Sequence, residues 1–151
     1  MSFSGTQTPF VYNNQLFVAG YSSDAVYIFD GIPRQGEDNF GIILGYDNFE
    51  LTNDSDSCSQ GHFSNPEGVS AADGKLILAD GNNNRVLIWN TIPTVSGTLP
   101  DLVLGQPDFE TCDGGVTEFN MDYPSGVWSD GSKLLVVDGN NRVLGWHTFP
   151  T

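Results

Sequence analysis

Oxygen-bearing side chains dominate the chemistry this sequence can offer. Nineteen Asp and Glu stand against five Lys and Arg, a formal charge of −14 over 151 residues. Hard cations bind where carboxylate and carbonyl oxygens cluster. The run Asn53-Asp54-Ser55-Asp56-Ser57 is of that kind, so Asp54 and Asp56 are the candidate metal ligands and calcium the candidate ion. The run lacks the glycine and closing glutamate of an EF-hand loop. Groups for catalysis are scarce. There are two histidines, His62 and His147, and no G-x-S-x-G elbow, P-loop or G-x-G-x-x-G fingerprint. No catalytic residue is assigned, and no cofactor is expected.

Short strands must position whatever chemistry there is. Eighteen Gly and eight Pro punctuate brief apolar segments such as LFVAG, VYIFD, LILAD, VLIWN and LLVVD. Segments this short favour strands joined by tight loops, and none approaches the ~18 apolar residues of a membrane span. The opening MSFSGTQTPF has no basic or apolar leader region, so a soluble chain of unknown compartment is expected. The negative charge argues against nucleic acid as a partner, since phosphate backbones are repelled.

The segments repeat. Leu76, Asp80, Asn82, Arg85, Val86, Trp89 and Pro93 return as Leu134, Asp138, Asn140, Arg142, Val143, Trp146 and Pro150, at an offset of 58 that falls to 57 within the Asn run. Leu16, Ala19, Val26, Ile28 and Pro33 precede Leu76, Ala79, Val86, Ile88 and Pro93 by 60. The spacers repeat as well, GIILGYDNFE at 41–50 matching DLVLGQPDFE at 101–110, and Phe3-Ser4 matching Phe63-Ser64. Each repeat divides into four strands: A near 68–72, B over 75–80 after the Asp73-Gly74 turn, C over 85–90, and D over 101–105. Four-stranded antiparallel units in tandem define the blades of a β-propeller. The fold class is therefore all-β, with blade 1 at residues 1–50 (a degenerate repeat), blade 2 at 51–110, and blade 3 at 111–151 without its outer strand.

The pattern P-x-G-V, D-G-x-L, A-D-x-x-N-x-R-V and L-V-L-G-Q-P-D-F resembles the NHL-repeat propellers, bacterial arrays in particular. Blade 1 departs from it, with Gly20 in place of the Asp and Ala25 in place of the Arg. The resemblance makes Asp80, Asn82, Arg85, Asp138, Asn140 and Arg142 candidates for a binding face. Their structural use competes with that: an Asp and an Arg flanking a hairpin close it and satisfy its turn amides. Trp89 and Trp146 are expected to pack between blades. Cys58 and Cys112 fall in the D-to-A loops and are expected to be free thiols. Some NHL-type propellers are lyases with a metal held by several histidines; His62 and His147 occupy different repeat positions and supply no such set.

In a propeller the D-to-A and B-to-C loops share one face, and most of the carboxylates fall there. That acidic face is the candidate surface for a cationic or protein ligand. Three blades do not close a ring, which takes ~4–8. Two copies make six, so a homodimer closing a six-bladed ring is expected, with the N-terminal residues patching the missing strand. The leading functional reading is a non-enzymatic binding scaffold. The alternative is a metal-dependent lyase or hydrolase with carboxylates lining the channel.

Overall fold

The computed structural model describes residues 9–34, 41–45 and 58–151. Its strands are β1 (Phe10–Tyr12), β2 (Gln15–Gly20), β3 (Ala25–Phe29), β4 (Ile42–Leu44), β5 (Pro66–Ala72), β6 (Lys75–Asp80), β7 (Arg85–Trp89), β8 (Leu102–Leu104), β9 (Gly126–Ser129), β10 (Leu134–Asp138) and β11 (Arg142–Trp146). They form three antiparallel sheets in chain order: β1-β2-β3-β4, β5-β6-β7-β8 and β9-β10-β11. These are the blades of a β-propeller, four strands in each of the first two and three in the last. The N-terminal segment expected to patch the last sheet lies outside the described residues. Among the described residues no helix is long and apolar enough to cross a membrane.

The registers repeat with the sequence. Leu76 pairs with Trp89 and Asp80 with Arg85, as Leu134 pairs with Trp146 and Asp138 with Arg142. Strand side chains alternate between faces, so the middle blade feeds two cores. Leu76 and Leu78 join Val69, Ala71, Leu87 and Trp89 against Phe17, Ala19, Val26, Ile28 and Leu44 of blade 1. Ile77, Val86 and Ile88 pack against Met121, Leu134, Val136 and Phe149 of blade 3. Gly105 shows why one residue type returns after strand D. Its φ is +87°, and a Cβ there would lie 2.8 Å from Met121 and 3.1 Å from the Asn84 carbonyl. Only glycine takes that backbone without strain.

The open sides of the three-blade stack differ. On blade 3 the outward face of β9, β10 and β11 exposes Trp128, Leu135, Val137 and Val143. On blade 1 the corresponding open side is mixed: Val11 is exposed, Leu16 and Tyr27 are half-buried, and Val18 and Phe29 are buried. One repeat position measures the difference, since Ile77 is 0 % exposed and Leu135 is 43 % exposed. Ile77→Ala is expected to cost ~2–5 kcal/mol in urea unfolding, as large-to-small core changes do. Leu135→Ala should cost under about 1 kcal/mol in the monomeric chain, where much of its surface is already in water.

Candidate functional site

The repeated polar residues form one device per blade. In blade 2 the Asp80 carboxylate, fully buried, accepts from the Ser64 amide at 2.7 Å, Asn83 Nδ2 at 3.0 Å and Arg85 Nε at 2.8 Å. Burial pushes its carboxyl above the ordinary value, opposed by the Arg85 guanidinium and by those donors. The remaining guanidinium donors of Arg85 are spent on loop carbonyls: Ser59 at 2.8 Å, His62 at 2.7 Å and Phe109 at 2.6 Å. Ser59 and His62 precede blade 2, whereas Phe109 belongs to the loop leading into blade 3. One buried guanidinium thus holds two consecutive D-to-A loops together.

Blade 3 repeats half of this arrangement. Asp138 accepts from Arg142 Nε and from the Asp122 amide, and Arg142 donates to the carbonyls of Val116, Thr117 and Asn120. All of those carbonyls precede blade 3. The Arg142 side chain is 25 % exposed, against 0 % for Arg85. Of the sequence candidates, then, Asp80 and Arg85 are brought together out of solvent, and Asp138 and Arg142 pair at the open end of the stack. Asn82 is exposed and donates to Asn65 Oδ1 at 2.7 Å. It is Asn83, passed over in the sequence reading, that closes onto Asp80. The Nδ2 of Asn140 is buried with no partner among the described residues.

Asp54 and Asp56 lie outside the described residues. Among the described residues, no group of three or more His, Cys, Asp and Glu is placed to hold a metal ion. His62 Nδ1 lies 2.7 Å from the Ser59 hydroxyl, and His147 is exposed. Trp89 is buried in the core between blades 1 and 2, edge-on to Phe63 with centroids 6.0 Å apart, and donates from Nε1 to the Thr98 carbonyl at 2.9 Å. Trp146 packs, partly buried, on the core between blades 2 and 3.

The cysteines correct the sequence reading. Cys58 and Cys112 are not free thiols but form a disulfide, with Cα atoms 6.0 Å apart and a sequence separation of 54. The physical reason is the Arg85 clamp. It draws the loops before blades 2 and 3 together, while Asn84 Nδ2 fixes the Cys112 carbonyl at 2.9 Å. Spacing along the chain carries no trace of that convergence.

A second repeated contact, also missed from the sequence, joins each B-to-C turn to the next blade. Asp24 and Asn84 both sit at the end of their turns with positive φ, of 48° and 53°. Asp24 Oδ1 accepts from the Asn65 amide at 2.7 Å, and Asn84 Oδ1 accepts from the Tyr123 amide at 2.9 Å. Asn65 and Tyr123 are equivalent by the offset of 58, and both have positive φ. Asn141, with a φ of 57°, is the same residue on blade 3 and is exposed. The signal available in the sequence was the Asp or Asn immediately before each strand C, a residue type tolerant of left-handed backbone.

Beside this latch lies a polar cluster drawn from all three blades. The Tyr123 phenol oxygen is 3.2 Å from that of Tyr21, and the Glu67 carboxylate is near enough to act on it. Burial, then the bond to Tyr21 and the nearby Glu67 with its negative charge, push the Tyr123 phenol well above its usual range, so it is protonated at neutral pH.

With this geometry, residues 63–89, which contain β5, β6 and β7, match the family model of the NHL repeat. The flanking sheets repeat the strand order and register of this segment. No curated protein matches the chain. Among solved structures, the computationally designed Ika4 protein is similar at 10 % identity and a TM-score of 0.42, over 99 % of this chain and 94 % of that one. Streptogramin B lyase is similar at 13 % identity and a TM-score of 0.35, over all of this chain and 57 % of that one, so the chain spans a little over half of the lyase's length.

Two outcomes follow from the clamp. Asp80→Ala strands a buried guanidinium and should cost ~3–5 kcal/mol in urea unfolding. Asp138→Ala, beside a part-exposed arginine, should cost clearly less. Alkylation of the unreduced, denatured protein should label neither cysteine, and reduction should remove ~2–5 kcal/mol of stability.

Proposed function

We propose that the chain is a non-enzymatic binding scaffold that associates with a second copy to close a six-bladed ring and presents its acidic loop face to a cationic or protein ligand. The observation that carries the association is the open side of blade 3. It repeats, unoccupied, the interface that blade 2 offers blade 3. Trp128, Leu135, Val137 and Val143 form an exposed apolar face where blade 2 has Ser70, Ile77, Ala79 and Val86 buried. Asn141 stands in the position from which Asn84 engages the next blade. Arg142 keeps exposed surface where Arg85 binds the following loop. Exposed apolar surface concentrated on one face marks an interaction site, and a blade of the same kind is what this surface fits. The ligand reading is supported by the charge, −14 for the chain, which concentrates cations at the surface.

Light scattering coupled to size exclusion tests the assembly. The wild-type chain should give a mass near twice 16.4 kDa at micromolar concentrations and above. Val137→Lys combined with Val143→Lys, both at exposed positions, should return it to a folded monomer. A wild-type monomer across that range would refute ring closure by two copies.

A further inference from the structure

Residues that recur in every blade serve the blade. Residues that break the repeat and still converge are free to serve something else. Tyr21 stands where blades 2 and 3 carry Gly81 and Gly139, Tyr123 where blade 2 carries Asn65, and Glu67 where blade 3 carries Ser125. None of the three is a blade requirement, since neighbouring blades do without it. Yet Tyr21 and Tyr123, 102 residues apart, place their phenol oxygens 3.2 Å from each other, and Glu67 lies close enough for its negative charge to act on the Tyr123 phenol.

Their placement is deliberate in physical terms. Glu67 sits near the start of β5, the inner strand of blade 2, on the loop side. Gly68 beside it is pressed against blade 3, where a Cβ would lie 2.7 Å from the Ser125 carbonyl. The Tyr123 ring lies over Gly81, where a Cβ would meet it at an ordinary contact distance of 3.5 Å. Tyr123 takes a φ of 53°, a region costly for an aromatic residue, and is held there by Asn84. All three residues are half-buried.

We propose that Tyr21, Glu67 and Tyr123 form a receptor for one organic cation, an ammonium or guanidinium group of the kind a lysine or arginine side chain of a peptide presents. Glu67 supplies the counter-charge in a partly desolvated setting, where an ion pair is stronger than in water. The phenol rings supply π surface for the cation, and their oxygens accept its remaining N–H groups. The proposal rests on reading the loop face as the ligand surface and narrows that reading to one place and one chemistry.

The test titrates the full chain with N-acetyl-lysine methylamide, followed by NMR of the tyrosine rings, with N-acetyl-norleucine methylamide as the neutral control. The cation should bind saturably and the neutral compound should not. Glu67→Gln should weaken binding about tenfold or more, as loss of a charged hydrogen-bond partner does. Tyr21→Phe, which deletes one oxygen and leaves the ring, should weaken it several-fold with thermal unfolding unchanged. Should Glu67→Gln fail to fold, Tyr21→Phe alone decides. Equal binding by wild type and Tyr21→Phe would overturn the site. An oligolysine peptide titrated in parallel reports the acidic face separately. If it binds while the lysine amide does not, the site falls and the face reading stands; if neither binds, both fall.

Discussion

The stack depends on one buried guanidinium. Taking an arginine and its carboxylate out of water costs several kcal/mol per ion, and the attraction between them offsets this only when every remaining donor is also used. Arg85 meets that condition: Nε is bonded to Asp80, one terminal nitrogen to the Phe109 carbonyl and, at 3.8 Å, the Cys58 sulfur, and the other to the carbonyls of Ser59 and His62. These partners come from the B strand of its own blade, the loop entering that blade and the loop leaving it. The hairpin register, the approach of the two loops and the disulfide across them therefore share a single anchor. Blade 1 has Ala25 in this position and lacks this anchor.

Much of the architecture could be read from the repeat. Strands B and C of blades 2 and 3 fall where the matching LILAD/LLVVD and RVLIW/RVLGW segments place them, because alternating apolar residues between turn signals leave few other options. The NHL character of blade 2 was equally visible in its residues. What escaped were contacts between blades. The pairing of Cys58 with Cys112 requires knowing that Arg85 reaches Phe109. The latch from Asn84 to Tyr123 requires knowing which Asn of an Asn run ends the turn. The Asn82-Asn83-Asn84 run allows three assignments, and the offset alone selected Asn82, whereas the buried partner of Asp80 is Asn83. Periodicity reports what each blade does for itself, and a single copy of a motif is silent about its neighbour.

The same logic separates scaffold from specificity. Asp80, Arg85 and their copies are strongly patterned and chemically conspicuous, yet their hydrogen-bonding capacity is consumed internally. Tyr21, Glu67 and Tyr123 carry no pattern, and only the stacking of three blades assembles them. In a repeat protein each unit contacts mainly its neighbours, so a cluster bridging first and third blades over the second is unusual in its reach. These three side chains are the ones the repeat does not explain.

The disulfide has a mechanical consequence. Cys58 precedes all of blade 2 and Cys112 follows its last strand, so the bond closes a covalent lasso around the whole middle blade. Tension applied through the chain ends would bypass that loop. Its 54-residue span would otherwise extend by roughly 180 Å at ~3.3–3.6 Å per residue. Blades 1 and 3 could be peeled away while blade 2 added nothing to the contour length. In the oxidised chain the central blade is hidden from force, and reduction alone would release it.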